Sequence, residues 1–215
     1  PLGLSSSTAV FGCHMRGEVS LRLDVPYQID DAQLIAAAVV AINKNQAEGN
    51  LVGNYYGQFD TDIAGYRLYD VSQAQATFTK VLRPIIGADG GAFITEAGFT
   101  YVHDLPNDAL LESPSSIIYD SGSWGYRSRL IFNYLSAIGA VNLFPRIGWN
   151  HDVQGTSPGP GRTFLEHRKA VTLGLKSTYQ SWSVDVSYAN FFGARGVDNK
   201  KNDRDFIGCS VKYSF

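Results

Sequence analysis

The sharpest constraint on this chain is a two-residue rhythm. From Ile207 to the end it is unbroken: Ile207, Cys209, Val211, Tyr213 and Phe215 alternate with Gly208, Ser210, Lys212 and Ser214. Successive side chains of a strand point to opposite faces, so such a run folds as a strand with one oily and one polar side. A helix would scatter the same residues round its surface. The rhythm recurs upstream. Trp182, Val184, Val186 and Tyr188 oppose Ser183, Asp185 and Ser187, and Val171, Leu173, Leu175 and Tyr179 oppose Arg168, Thr172, Gly174, Lys176 and Thr178. Strands are expected over residues 2–11, 16–25, 66–82, 92–104, 123–135, 141–151, 168–179, 182–192 and 207–215.

The connections between these strands sort by length. Those after the first, third, fifth and seventh are tight, such as 87–91 with its glycines and 138–140. Those after the second, fourth, sixth and eighth are long, including the Gly/Pro stretch 155–161. A soluble sandwich has no reason to sort its loops. An up-and-down membrane barrel does, with short turns at one end and longer loops at the other. Hydropathy does not object: no run reaches the ~20 apolar residues of a membrane helix, and barrel strands escape that criterion because they alternate. Aromatic residues reach 13% and charged residues only 18%, with a net charge of −2, which gives no reason to expect nucleic acid as a partner. Cys13 and Cys209 stand at opposite ends, and a disulfide between them is left open.

The polar sides of the strands carry Glu18, Arg22, Asp24, Glu96, Arg127, Arg129, Arg146, Arg168, Lys176, Asp185 and Lys212. In a barrel this face lines the lumen. The opposite face is apolar, with Trp182 and Tyr179 towards the short turns and Trp124, Trp149 and Tyr101 towards the long loops, as expected of two interfacial girdles. A lipocalin-like soluble barrel would invert the arrangement, oily inside and polar outside. The fold expected is therefore all-β: an antiparallel up-and-down transmembrane β-barrel, one unit over residues 1–215. Its long loop, residues 26–65, holds a short helix over 30–42, which has acidic residues at its start and Ala-rich turns behind them. Nine strands is an odd number, whereas bacterial single-chain barrels are even-numbered. We therefore expect the C-terminal portion of a larger barrel, or a miscounted first segment.

Several stretches, in order along the chain, carry a family resemblance: Tyr69-Asp-Val-Ser-Gln-Ala-Gln75, Val102-His-Asp-Leu-Pro106, Gly139-Ala-Val-Asn-Leu143, His151-Asp-Val153, Ser157-Pro-Gly-Pro-Gly161, Phe164-Leu-Glu166, Arg168-Lys-Ala170, Ser187-Tyr-Ala-Asn-Phe-Phe-Gly193 and Asp203-Arg-Asp-Phe206. With the closing Lys-Tyr-Ser-Phe they resemble the C-terminal third of a proteobacterial outer-membrane family of unknown function placed among the membrane β-barrels. The cysteines at 13 and 209 depart from it. The resemblance implies a bacterial outer-membrane location, lipid around the barrel, and Tyr213 and Phe215 as an assembly signal read by the barrel assembly machinery. It also implies a periplasmic C-terminus, which makes the long loops extracellular. By analogy with the long-chain fatty-acid transporter type of barrel, it implies handling of hydrophobic compounds.

Chemistry is sparse. His103-Asp104 and His151-Asp152 fall at the long-loop ends of two strands, and alternation turns Asp104 and Asp152 inward and both histidines outward. Glu166, Asp203 and Asp205 are expected at the same rim. Such carboxylates could bind a cation or polarise water, but a loop-holding network with Arg162, Arg168 and Arg204 accounts for them as well. No nucleophile, phosphate-loop or zinc motif is present. We expect no enzyme activity, no metal and no cofactor. The function expected is a channel or transporter-like protein for hydrophobic or small organic solutes, with Arg127, Arg129, Arg146 and Glu96 setting the field of the lumen. The alternatives are an outer-membrane enzyme, or a cation-binding or adhesion barrel with its site at the rim.

Overall fold

The computed structural model describes residues 1–39, 42, 44–45, 50–106, 111, 119–159, 163–194, 202 and 204–215. They form one antiparallel sheet of nine strands: β1 (Leu2–Val10), β2 (Cys13–Gln28), β3 (Tyr66–Leu82), β4 (Gly90–Val102), β5 (Gly122–Ile138), β6 (Val141–Gln154), β7 (Arg168–Tyr179), β8 (Trp182–Gly193) and β9 (Phe206–Tyr213). The order in space is the order in sequence. The sheet is not closed: β1 and β9 are its two edges. A helix, α1 (Asp31–Val39), lies between β2 and β3.

The turns explain why the strands break where they do. Residues 11–12, 139–140 and 180–181 connect neighbouring strands directly. Phe11 and Gly12 have φ of 51° and 71°, the left-handed pair that a two-residue hairpin needs to match the twist of its strands. At the opposite ends of the strands lie the connections 29–65, 103–121, 155–167 and 194–205.

The structure corrects several boundaries. β2 runs past both of its expected ends, to Cys13 and Gln28, because it bulges. Pairing with β3 skips from Arg22 to Val25, and Asp24 sits in the bulge at φ 55°. Its amide donates to the Asp70 carboxylate at 3.0 Å, and Pro26 is then accommodated opposite Leu68. β4 begins at Gly90 and stops at Val102, so Asp104 belongs to a turn, at φ 52°. β9 stops at Tyr213, because its partner strand begins at Trp182 and leaves no residue opposite Phe215. The helix was expected over 30–42; it is described over Asp31–Val39, and residues 40, 41 and 43 lie outside the described residues. Its N-terminus is capped by Asp30, whose carboxylate accepts from the Gln33 amide at 3.1 Å.

The register puts like with like on each face. One ladder row on the apolar side reads Leu4, Val19, Ala74, Phe99, Trp124, and another reads Pro145, Leu175, Val186, Cys209. On the polar side one row reads Ser7, Arg16, Thr77, Glu96, Arg127, Asn150. Among the described residues no second layer covers the apolar side, where Leu173, Leu175, Val186, Ile207 and Val211 are exposed. The buried apolar residues cluster instead at the long-loop end, where Ile29, Ala37, Val71, Val102 and Leu111 meet. Both cysteines are free thiols, Cys13 buried and Cys209 exposed on the apolar face.

Candidate functional site

The polar face is the one surface where the sequence concentrates charge, and the sheet arranges it in two ways. Some charges are paired. The Arg146 guanidinium on β6 reaches across β7 to Asp185 on β8 and forms both parallel bonds, 2.8 Å and 2.7 Å. Its path crosses Gly174, which stands directly opposite Arg146 in the ladder. A Cβ at 174 would lie 2.6 Å from the guanidinium carbon, so the missing side chain is what lets the arginine span a strand. Arg146 was expected to set the field of the lumen; with its fork filled by Asp185 it contributes little net charge.

Other charges are not paired. Among the described residues Arg16, Arg22, Arg127 and Arg129 make no ion pair. Arg127 faces Glu96 across the β4–β5 ladder, and Glu96 accepts from the Thr77 hydroxyl at 3.3 Å. Arg16, Glu18, Ser5, Ser7, Thr77 and Glu96 line a trough of about 530 Å³. A smaller hollow of about 170 Å³ adjoins it around Glu18 and Gln75 and reaches Arg22 and Phe164. Lys176 and Lys212 continue the polar face towards the short turns. Arg16 lies within an expected strand, and its place on the polar face follows from counting back from Glu18; we did not single it out from sequence.

At the long-loop end the connection 155–167 folds back over the polar face. Asp152, the last inward residue of β6, is buried and accepts from Arg168 Nε at 2.7 Å and from the Leu165 amide at 3.1 Å. A second anchor joins the Ser123 and Ser157 hydroxyls at 2.9 Å, and a third runs from the Thr156 amide to the Asp120 carboxylate at 2.8 Å. These place the Phe164 ring in a notch made by two glycines. A Cβ at Gly98 would sit 3.4 Å from the ring, and one at Gly125 3.1 Å from it. No motif in the sequence announced this fold-back, because it depends on which strands are neighbours.

The rim carboxylates do not converge. Asp152 is committed to Arg168 and the loop backbone. Asp104 stands exposed in its turn. The Glu166 amide donates to Thr156 Oγ1 at 3.2 Å. Asp205, expected at the rim, lies on the apolar side, where it accepts from the Tyr188 hydroxyl at 2.8 Å, the Asn190 amide at 2.6 Å and the Phe191 backbone amide at 3.2 Å. The register explains the placement: Phe206 pairs with Ala189 on the polar side, so its neighbour must face outward. Three bonds to the ionised form, that from Asn190 foremost, hold the Asp205 carboxyl below the usual carboxylate range. Asp203 and Arg162 lie outside the described residues, and Arg204 makes no ion pair among them. No group of three His, Cys, Asp or Glu among the described residues is arranged to hold a metal ion.

The histidines face outward as alternation requires. His103 shares a 2.7 Å hydrogen bond with Ser72 and packs edge-on against Tyr101, with centroids 5.0 Å apart. His151 stands between Tyr126 and Trp149. At the short-turn end Trp182 packs on Tyr213 at 4.8 Å, and Tyr213 meets Phe215 edge-on at 5.3 Å. Between these aromatic zones the apolar face carries a shallow groove of about 600 Å³. It is walled by Leu4, Val19, Phe99 and Trp124 and floored by small residues such as Gly17, Ala76 and Ala97.

A family model matches residues 2–215. The chain belongs to the family described as protein of unknown function (DUF1302). The matched residues run from the first strand of the sheet to the last. No curated protein and no solved structure matches the chain.

Proposed function

We propose that this DUF1302 member is a channel or transporter-like β-barrel of the bacterial outer membrane, which passes small organic solutes along its polar face. The observation that carries the proposal is the separation of faces. Across nine strands one side is apolar, uncovered and edged by aromatic residues, and the other is polar and charged. Two quantities support lipid as the environment of the apolar side. The accessible surface is 13753 Å² for 23.5 kDa, whereas a compact soluble monomer of that mass exposes about 9,800 Å². On β8 the apolar side runs from Trp182 to Phe192. At ~3.3 Å per residue that is about 33 Å along the strand. At the usual barrel tilt of ~35–45° it spans about 25 Å, the height of the apolar band of outer-membrane barrels.

The remaining details fit the same environment. The charged residues on the apolar side of the strands stand towards its ends: Lys80 and Lys169, whose long stems let the ammonium reach the headgroups, and Asp70 near the start of β3, which accepts from the Asp24 amide. The Trp182, Tyr213 and Phe215 cluster occupies one interface, and Tyr101, Trp124, Tyr126 and Trp149 the other. In a closed barrel β1 and β9 would lose their free edges, which lipid penalises heavily. Tyr213 and Phe215 then serve as the signal read by the barrel assembly machinery. The rim reading has less behind it, because Asp152 is tied to Arg168 and Asp205 faces the other side.

The test is reconstitution of the purified protein into planar lipid bilayers, with membrane fractionation of cells that express it. The expected result is recovery in the outer-membrane fraction and discrete single-channel steps. A protein recovered in soluble fractions, or one that inserts without any conductance, would sink the reading.

A further inference from the structure

We infer that the polar face is an anion-selective lane, with Arg16, Arg22, Arg127 and Arg129 as the residues that select, and that its solutes are small organic anions bearing a carboxylate. The inference rests on the channel reading above and deepens it. The chain as a whole is slightly acidic, at −2. The polar face is not. Its cations are the four arginines together with Arg67, Arg146, Arg168, Lys176 and Lys212, and its carboxylates are Glu18, Glu96, Asp152 and Asp185, with Asp24 in the bulge beyond Arg22. Asp152 and Asp185 are each neutralised by an arginine at bonding distance. That leaves Glu18, Glu96 and Asp24 against seven cations, so the face carries a positive surplus although the chain as a whole is slightly acidic.

The surplus is also continuous. Arg22 lies near the long-loop end, Arg127 and Arg129 occupy the middle, and Arg16, Lys176 and Lys212 lie towards the short turns. An anion moving along this face always has a cation ahead of it, whereas a cation meets the same residues as successive barriers. Water and low-dielectric walls together focus such a field. The chemical class follows from the type of cation in the middle of the lane. A guanidinium offers a planar fork that matches a carboxylate, whereas an ammonium is a point charge. Arg146 shows the fork at work on this very face, held bidentate by Asp185. Arg127 and Arg129 present the same group with no ion-pair partner among the described residues, whereas Arg16 shares the trough of about 530 Å³ with Glu18 and Glu96.

The test measures reversal potentials of the reconstituted protein in a potassium chloride gradient, and then chloride current with sodium benzoate added. The expected result is a severalfold preference for chloride over potassium and a fall in chloride current with benzoate. Replacing Arg127→Gln and Arg129→Gln together should abolish the benzoate effect and reduce the preference, and Arg127→Glu with Arg129→Glu should invert it. Neither guanidinium holds an ion pair among the described residues, and unchanged recovery in the membrane fraction checks that the variants fold even though Arg127 faces Glu96 across the ladder. Asp60→Asn with Asp62→Asn, in the connection 29–65, should leave the preference unchanged. Channels that conduct but prefer potassium overturn the inference and leave the channel reading standing. So does a preference that follows the Asp60 and Asp62 changes instead of the arginines. Absence of any conductance overturns both.

Discussion

Single missing side chains decide how the charged face is wired. Gly174 is the gap through which Arg146 reaches Asp185, so Gly174→Val should push the guanidinium off its partner. The pair is partly exposed, and the expected loss is about 1 kcal/mol, read as a lowered urea midpoint of folding into lipid vesicles. Asp185→Asn in the Gly174→Val background should then add almost nothing, which a double-mutant cycle measures directly. Gly125 is stricter. A Cβ there would lie 2.7 Å from the His151 carbonyl oxygen and 2.9 Å from the Asp152 Cα as well as against Phe164. Backbone cannot swing aside as an arginine does, so Gly125→Val should cost about 2 kcal/mol or more. Asp205 gives a pH dependence whose sign is fixed. Its folded carboxyl titrates below its unfolded value, so its contribution is complete above the unfolded value, near 3.8, and is lost as pH falls through the lower folded one. Proteolysis of the connection 194–205 should therefore accelerate in strong acid, and Asp205→Asn should remove that dependence.

The strands were legible and the long connection only in part, and the difference is physical. A strand with one face in oil repeats every two residues, so Val19, Leu21, Leu173, Leu175, Val184 and Val186 announce their faces from sequence alone. The bulge at Asp24 carries no such mark, because its amide is satisfied by Asp70, more than forty residues away. The fold-back of 155–167 was legible in part: a loop-holding role for Arg168 was expected and its pair with Asp152 is present. The Ser123–Ser157 anchor was not, because it joins residues that only the register makes neighbours. The Arg146–Asp185 pair was hidden more deeply still, since the two belong to strands that are not adjacent. The face of Asp205 was left open by the sequence, because it is fixed by the start of β9, where Phe206 pairs with Ala189. The fold-back makes its own prediction. Asp152→Asn removes the charge that holds Arg168 and weakens the bond to the Leu165 amide, so cleavage by added protease within 155–167 should rise by about tenfold, corresponding to ~1.4 kcal/mol of local opening. The nine-strand sheet should remain, as read by circular dichroism.

The whole molecule is a single curtain with two sides, and its two sides answer substitution in opposite ways. Arg or Lys placed mid-band on the apolar side, as in Leu173→Arg or Val186→Lys, should cost ~2–4 kcal/mol when the protein folds into lipid. Thr172→Lys, one residue from Leu173 but on the polar side, should cost little. The comparison is best made in vesicles with urea titration. Equal penalties on both sides would show that neither side meets hydrocarbon. The expectation of a lumen rests on the same asymmetry. Because the polar side already has its arginines, the channel experiment and the folding experiment probe one property from two directions.

Every strand of this sheet is bonded only to the strands before and after it in sequence. The chain never doubles back to insert a strand between two others. A hairpin is therefore a removable and repeatable module: one more can be copied into the gene, or one deleted, with new partners only for the two strands that flank it. In such an architecture the width of the sheet is a quantity that evolution can count up or down in steps of two strands, while the sidedness of each stave is inherited intact.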